Sequence, residues 1–231
     1  MLKLPTMNIP LEDATTRFTE ADFRARARRG LLAQPSQAIF DPRSGKALGP
    51  SDWDLNPEFM DDLAVMAAPR PAAVLVPIVL RGNLTVMLTE RSHDMPSHPG
   101  QISFPGGKVE ECDTSPVDCA LREAHEEIGL GREFVEPLGY LDSYRTGTGF
   151  QISPVVAFVR QGFTLKVDSR EVLDVFEVPL AFLMNEANHK KDARTWRGRQ
   201  RHFYAMPYEG RYIWGATAGM LKNMQQRMFQ P

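Results

Sequence analysis

The sequence predicts an α/β fold in which helices pack on a mixed β-sheet. Three observations carry this expectation. From Ala72 the chain turns into β-like apolar runs. Helical spacing is confined to a few separate stretches. Strands and helices alternate irregularly, with no long βαβ period.

Residues 1 to about 70 read as an N-terminal extension. Thr19, with Asp22 three residues on, resembles a helix start, and Phe23, Ala27 and Leu31 follow at helical spacing, so one short helix is expected there. Asp41 to Pro57 carries three prolines and two glycines among scattered charges, a composition that favours a linker. The main domain is expected over 71–231. It opens with Val74, Leu75, Val76, Ile78, Val79 and Leu80, then Arg81-Gly82-Asn83, then Leu84 to Leu88, which reads as two strands joined by a tight turn. Further β-like runs are Val135 to Leu141, Ile152 to Val159, Arg201 to Met206 and Arg211 to Trp214, and Ala216 to Met228 reads as a terminal helix.

Of 231 residues, 42% are hydrophobic and 24% charged, enough apolar material for a real core. Lys and Arg number 27 against 29 Asp and Glu, and this net charge of -2 creates no global field that would draw nucleic acid or an anionic membrane. An anionic ligand must therefore be held locally. Cys112 and Cys119 are too few for a disulfide framework and fit a reducing compartment. Met1 to Thr15 contains Pro5, Pro10, Glu12 and Asp13 and lacks the apolar run of a signal peptide or membrane span, so the sequence reads as a soluble, cytoplasmic protein.

The chemistry is concentrated between Gly107 and Leu130. Ser115 can cap a helix, Pro116 suits its first turn and Gly129 its stop, which predicts a helix over 116–128. At 100° per residue, Val117, Ala120, Leu121, Ala124 and Ile128 form the core stripe, and Glu123, Glu126 and Glu127 fall on an adjacent arc. Like charges at these spacings repel by roughly 0.2–0.5 kcal/mol per pair. They also sit toward the helix C-terminus, where the macrodipole favours cations. A solvated acidic face is one reading. A divalent cation held by the carboxylates is the other, and it reverses both penalties; Arg122 is placed to orient a glutamate, and the Gly106-Gly107 turn allows close approach of backbone to ligand.

The run G-x5-(E)-x7-R-E-U-x-E-E-x-G-U, with U aliphatic, resembles the signature of the Nudix hydrolases. Gly107, Arg122, Glu123, Glu126, Glu127, Gly129 and Leu130 match it. Asp113 stands at the first acidic position, the gap from it to Arg122 is one residue longer than the general pattern, and Ala124 replaces a larger aliphatic. The longer gap is similar to that of the coenzyme A diphosphatases, whose upstream signature L-L-T-x-R-[SA]-x3-R-x3-G-x3-F-P-G-G resembles MLTERSHDMPSHPGQISFPGG here. Leu88, Thr89, Arg91, Ser92, Gly100, Phe104, Pro105, Gly106 and Gly107 match, Met87 replaces Leu, and Pro96 replaces Arg and removes a cation. His93 or His98 either compensates or is structural. Thr148-Gly149-Phe150, Glu171-Val172 and Ile213-Trp214-Gly215-Ala216-Thr217 resemble later family blocks, so the likeness covers about residues 70–230.

The resemblance implies a Nudix-type α/β/α sandwich and Mg²⁺- or Mn²⁺-dependent hydrolysis of the diphosphate of coenzyme A to 4′-phosphopantetheine and adenosine 3′,5′-bisphosphate. It assigns Glu123 and Glu127 as metal ligands, with Glu126 a third carboxylate and the Gly107 carbonyl a further oxygen. Glu123 or Glu171 is the candidate general base. Arg91 and Lys108 flank the Gly106-Gly107 turn, either pairing with phosphate oxygens or remaining surface charges. Asp113 and Glu110 bind or order a further ion, or are simply solvated. The same helix serves relatives acting on ADP-ribose or NADH, and a non-catalytic nucleotide sensor of the same fold is a third reading, disfavoured because all four of Arg122, Glu123, Glu126 and Glu127 are present. Trp53, Trp196 and Trp214 are expected in the core rather than on an adenine. For residues 1–70, a homodimer contact, a lid and simple packing remain open.

Overall fold

The computed structural model describes residues 18–36, 40–41, 46–47, 49–57, 69–196 and 198–230. In chain order its elements are α1 (Glu20–Gly30), β1 (Phe40–Asp41), β2 (Lys46–Ala47), β3 (Arg70–Val79), β4 (Thr85–Arg91), β5 (Ile102–Ser103), β6 (Gly106–Lys108), α2 (Pro116–Ile128), β7 (Val135–Tyr140), β8 (Tyr144–Arg145), β9 (Phe150–Val159), β10 (Val172–Pro179), α3 (Leu180–Met184), β11 (Lys190–Trp196), β12 (Arg199–Tyr208), β13 (Arg211–Trp214) and α4 (Ala216–Met228).

The apolar run that opens the main domain is continuous rather than alternating because β3 is buried on both faces from Ala72 onward. Val74, Val76 and Ile78 enter one core, and Ala73, Leu75 and Val79 enter the other. β3 pairs antiparallel with β4 and parallel with β9, at the centre of a mixed sheet ordered β10-β4-β3-β9-β7, with β5, β6 and β8 added on β4, β3 and β9. On one face lies α2, whose Ala120, Leu121, Ala124 and Ile128 are buried as the helical spacing requires. On the other lie α1, α3, α4 and a second sheet, β11-β12-β13, which contributes Met206 and Ile213. The result is the α/β/α layering expected from sequence.

α1 starts where Thr19 accepts a hydrogen bond from the Asp22 amide at 3.2 Å. Its Phe23 is fully buried, 5.4 Å from the Phe158 ring. α1 and α4 exchange helix-end contacts: Arg26 Nη1 donates to Met228 O at 3.1 Å, and Arg227 Nε to Gly30 O at 2.7 Å. A Cβ at Gly30 would lie 2.6 Å from Arg227 O, so this approach requires glycine.

Two sequence expectations need correction. The described end of the expected linker, 49–57, is packed: Ser51, Trp53 and Asn56 are buried. A bridge to β8 and side-chain bonds hold it: Asp52 N donates to Arg145 O at 3.0 Å, Ser51 Oγ to Asp54 Oδ1 at 2.7 Å and Asn56 Nδ2 to Asp52 O at 2.8 Å. The expected linker residues 42–45 and 48 lie outside the described residues, as do 1–17 and 58–68 of the extension. The second correction concerns β11, which is a strand although its sequence, KKDARTW, shows no apolar alternation. Its pairing with β12 runs the length of both, from Lys190 opposite Ala205 to Trp196 opposite Arg199.

Candidate active site

β6 lies against β3 with Gly106 opposite Val74 and Gly107 opposite Ala73. A Cβ on Gly106 would lie 2.4 Å from Ala73 O, and one on Gly107 would lie 2.3 Å from Glu123 Oε1. The glycine pair therefore lets α2 bring a carboxylate directly onto the backbone of the sheet. α2 itself is set by the local signals read from sequence: Ser115 Oγ accepts from Asp118 N at 3.1 Å, Pro116 opens the first turn, and Gly129 ends the helix at φ 69°.

The three glutamates diverge in environment. Glu127 is 4% exposed, accepts from Gly106 N at 3.2 Å and stands 3.9 Å from Arg91 Nη1 on β4. Burial pushes its carboxyl up to about 8, against the pull of the Gly106 amide and Arg91. Glu123 is half-buried and also raised by burial, with Arg122 opposing. Glu171 adds repulsion to both, which brings its carboxylate into the same field. Glu126 turns outward, its side chain 57% exposed, and pairs with Arg122 Nη1 at 3.0 Å.

Arg122 is the hub. Its Nη1 also reaches Glu123 Oε1 at 3.0 Å, its Nε and Nη2 form a fork on Asp113 at 3.0 and 2.9 Å, and Nη2 donates to Lys108 O at 3.1 Å. The guanidinium holds Asp113 down at about 2, so this acid is committed to anchoring the loop before α2. Glu110 caps the same loop through its amide, which donates to Asp113 Oδ2 at 2.8 Å. Cys119 is buried, and burial pushes its thiol up to about 12, which leaves it inert.

Of the groups expected to hold an ion, the fold brings together Glu123, Glu127 and Gly107 and turns Glu126 away. Among the described residues no three carboxylate, histidine or cysteine side chains already form a closed ligand set. The donor chemistry nonetheless fits a hard divalent cation: two adjacent carboxylates are raised by burial, and the cations facing them do not offset it.

Gly106 and Gly107 floor a cleft of about 650 Å³. Arg91, Lys108 and His98 line it, whereas the His93 ring packs by Gly100. The opposite wall was not signalled by the sequence. Asp52 there accepts from Tyr144 OH at 2.9 Å, Gly147 N at 2.7 Å and Arg201 Nη2 at 2.6 Å. Asn56, 1% exposed, donates Nδ2 to His202 O at 2.8 Å and accepts from His202 N at 2.6 Å, pairing with β12 beyond the end of β13. No local motif announces these contacts, because each partner is remote in the chain. Trp53 is in the core as expected, Trp214 instead lines the cleft, and the Trp196 side chain lies outside the described ones.

Residues 69–200 match the NUDIX domain family. The chain is 37% identical over 155 residues to a protein of Enterobacter sp. (strain 638) named "Uncharacterized Nudix hydrolase NudL", covering 67% of this chain and 81% of that one. A protein of the same name from Yersinia enterocolitica is 36% identical over 157 residues, covering 68% and 80%. Among solved structures, the NUDIX domain of Shewanella oneidensis NrtR complexed with ADP ribose is similar at 25% identity and a TM-score of 0.39, covering 55% of this chain and 84% of that one. A C. elegans Ap4A hydrolase is similar at 20% identity and a TM-score of 0.42, covering 47% and 80%.

Proposed function

The chain belongs to the Nudix family and is a phosphoanhydride hydrolase of nucleoside diphosphate derivatives, and from that premise we propose that its substrate is coenzyme A, cut to 4′-phosphopantetheine and adenosine 3′,5′-bisphosphate. The observation that carries this reading is Arg91. It belongs to the 87–107 signature that resembles the coenzyme A diphosphatases, it lines the cleft, and its Nε is buried without a partner. A buried guanidinium N–H needs an acceptor, and a diphosphate oxygen supplies one.

Glu123, Glu127 and the Gly107 carbonyl are the groups that would hold Mg²⁺ or Mn²⁺, with Glu126 able to join by leaving Arg122. A bound divalent ion neutralises the diphosphate and lowers the pKa of an attacking water. Arg122 holds Glu123 in place, and the Gly106 amide holds Glu127. Glu171, already within the field of both glutamates, takes the proton of the attacking water as general base. Arg91 and Lys108 bind phosphate oxygens and orient the scissile bond. Among the described residues no helix is long and apolar enough to cross a membrane.

The test is mass spectrometry of products from coenzyme A, ADP-ribose and NADH, each with Mg²⁺, Mn²⁺ or EDTA. Metal-dependent release of 4′-phosphopantetheine, faster than cleavage of the other two, is expected. Cleavage of ADP-ribose or NADH alone would overturn the substrate and keep the bond chemistry.

A further inference from the structure

The second sheet turns one face into the core through Met206 and Ile213, which pair with each other and are fully buried. Period-two alternation therefore sends Ala205 and its partner Trp214 to the opposite face, together with Phe203. Arg194 and Arg201, paired across β11 and β12, share that face. On it the Phe203 and Trp214 rings stand 5.0 Å apart at 57°, and the Arg194 guanidinium lies 4.6 Å from the Trp214 ring centroid. Both rings are half-buried and Arg194 is exposed.

Core packing explains a buried ring, but not two half-buried rings and a stacked guanidinium on the side of a sheet that faces away from the core. All three groups line the same cavity as Arg91, Gly106 and Gly107. The connection between the two ends of that cavity is short. Just past Trp214, Thr217 Oγ1 donates to Ile102 O at 3.0 Å. From Ile102 the chain runs through Phe104 to Gly106, and four residues span at most ~14 Å. The aromatic part and the glycine turn thus sit in one cavity on neighbouring segments, as a base and the diphosphate attached to it require.

We infer that Phe203, Trp214 and Arg194 form the shelf on which the purine base of the substrate stacks while its diphosphate reaches Gly106 and Gly107. The aromatic faces take the base by π-stacking, which any purine satisfies, and the Arg194 guanidinium, 4.6 Å from the Trp214 centroid, extends the shelf with a further planar face. The inference rests on the reading of the site as one for a nucleotide diphosphate, and it adds where the base lies.

The experiment measures binding rather than turnover, by equilibrium dialysis with Mg²⁺ of two probes, ADP and ribose 5-diphosphate. Trp214→Ala is expected to weaken ADP binding about tenfold and to leave ribose 5-diphosphate unchanged, whereas Trp214→Phe, which still stacks, stays within about threefold of the parent. Arg194→Ala, a change at an exposed side chain that does not endanger folding, is expected to weaken ADP about threefold. Equal loss of both probes, or no loss of ADP in either Trp214→Ala or Arg194→Ala with the circular dichroism spectrum intact, overturns the shelf. ADP binding that depends on Trp214 in a protein that leaves coenzyme A uncut would keep the shelf and remove the substrate. Cleavage of coenzyme A with no base-dependent binding would do the reverse.

Discussion

One part of the site is assembled almost entirely from a single run of chain, Gly106 to Ile128, whose two glycines floor the cleft and whose capped helix brings Glu123 and Glu127 onto that floor. The other side joins remote segments: Asp52 meets Tyr144 across 92 residues and Arg201 across 149. The first side works against stability, since it buries Glu127 with its carboxyl pushed up to about 8. The second contributes stability, since its buried Asn56 and the nearby Asp52 have their hydrogen bonds met. The buried carboxylates are thus held under electrostatic stress in a local frame, while the wall with Asp52 and Asn56 is held by long-range hydrogen bonds.

If this contrast is right, Glu127→Gln has the largest effect and moves activity and stability in opposite directions. Turnover should fall by more than ~100-fold, while removal of a buried carboxyl that must take up a proton on folding at neutral pH, on the order of 1 kcal/mol, raises the metal-free melting temperature by roughly 2–4 °C. Steady-state kinetics and calorimetry in EDTA check both, and a lower melting temperature would contradict the stressed-site description. Arg122→Lys comes next. It keeps the charge but loses the fork on Asp113, so kcat is expected to drop roughly 10- to 100-fold with the fold intact; a kcat near that of the parent would show that the hub is dispensable.

On the other wall the order of effects reverses. Asn56→Ala strips β12 of its side-chain partner and should destabilise the protein by ~1–3 kcal/mol in denaturant titration, with kcat little changed. Asp52→Asn is the mildest, weakening the contacts to Tyr144 and Arg201 by ~0.5–1.5 kcal/mol and raising KM roughly two- to tenfold. A large kcat loss in either variant would erase the distinction between the walls.

The same contrast explains what could be read from sequence. α2 was legible from end to end because cap, core stripe and stop are all local to residues 115–129. The arc of glutamates was legible too, although the environments differ: on the helical wheel Glu127 lies nearest the core stripe and Glu126 farthest, and burial follows that order. β11 was illegible because Lys190, Lys191, Asp192 and Arg194 give it no apolar side to reveal. The segment 49–57 read as a linker because prolines, glycines and charges compose it, and nothing in that composition says that an asparagine will stand in for a strand partner 146 residues away.

That substitution of an amide for a strand sets how the molecule can be altered. A paired strand commits its neighbours to a register, and a one-residue slip exchanges its faces. A side-chain amide commits only itself. Residues 51–55 are held more firmly, because Asp52 N donates to Arg145 O at 3.0 Å and Arg145 N to Pro50 O at 3.1 Å, which bridges this segment to β8 of the main sheet. A change of length here therefore pulls on two sheets at once, on one through Arg145 and on the other through His202.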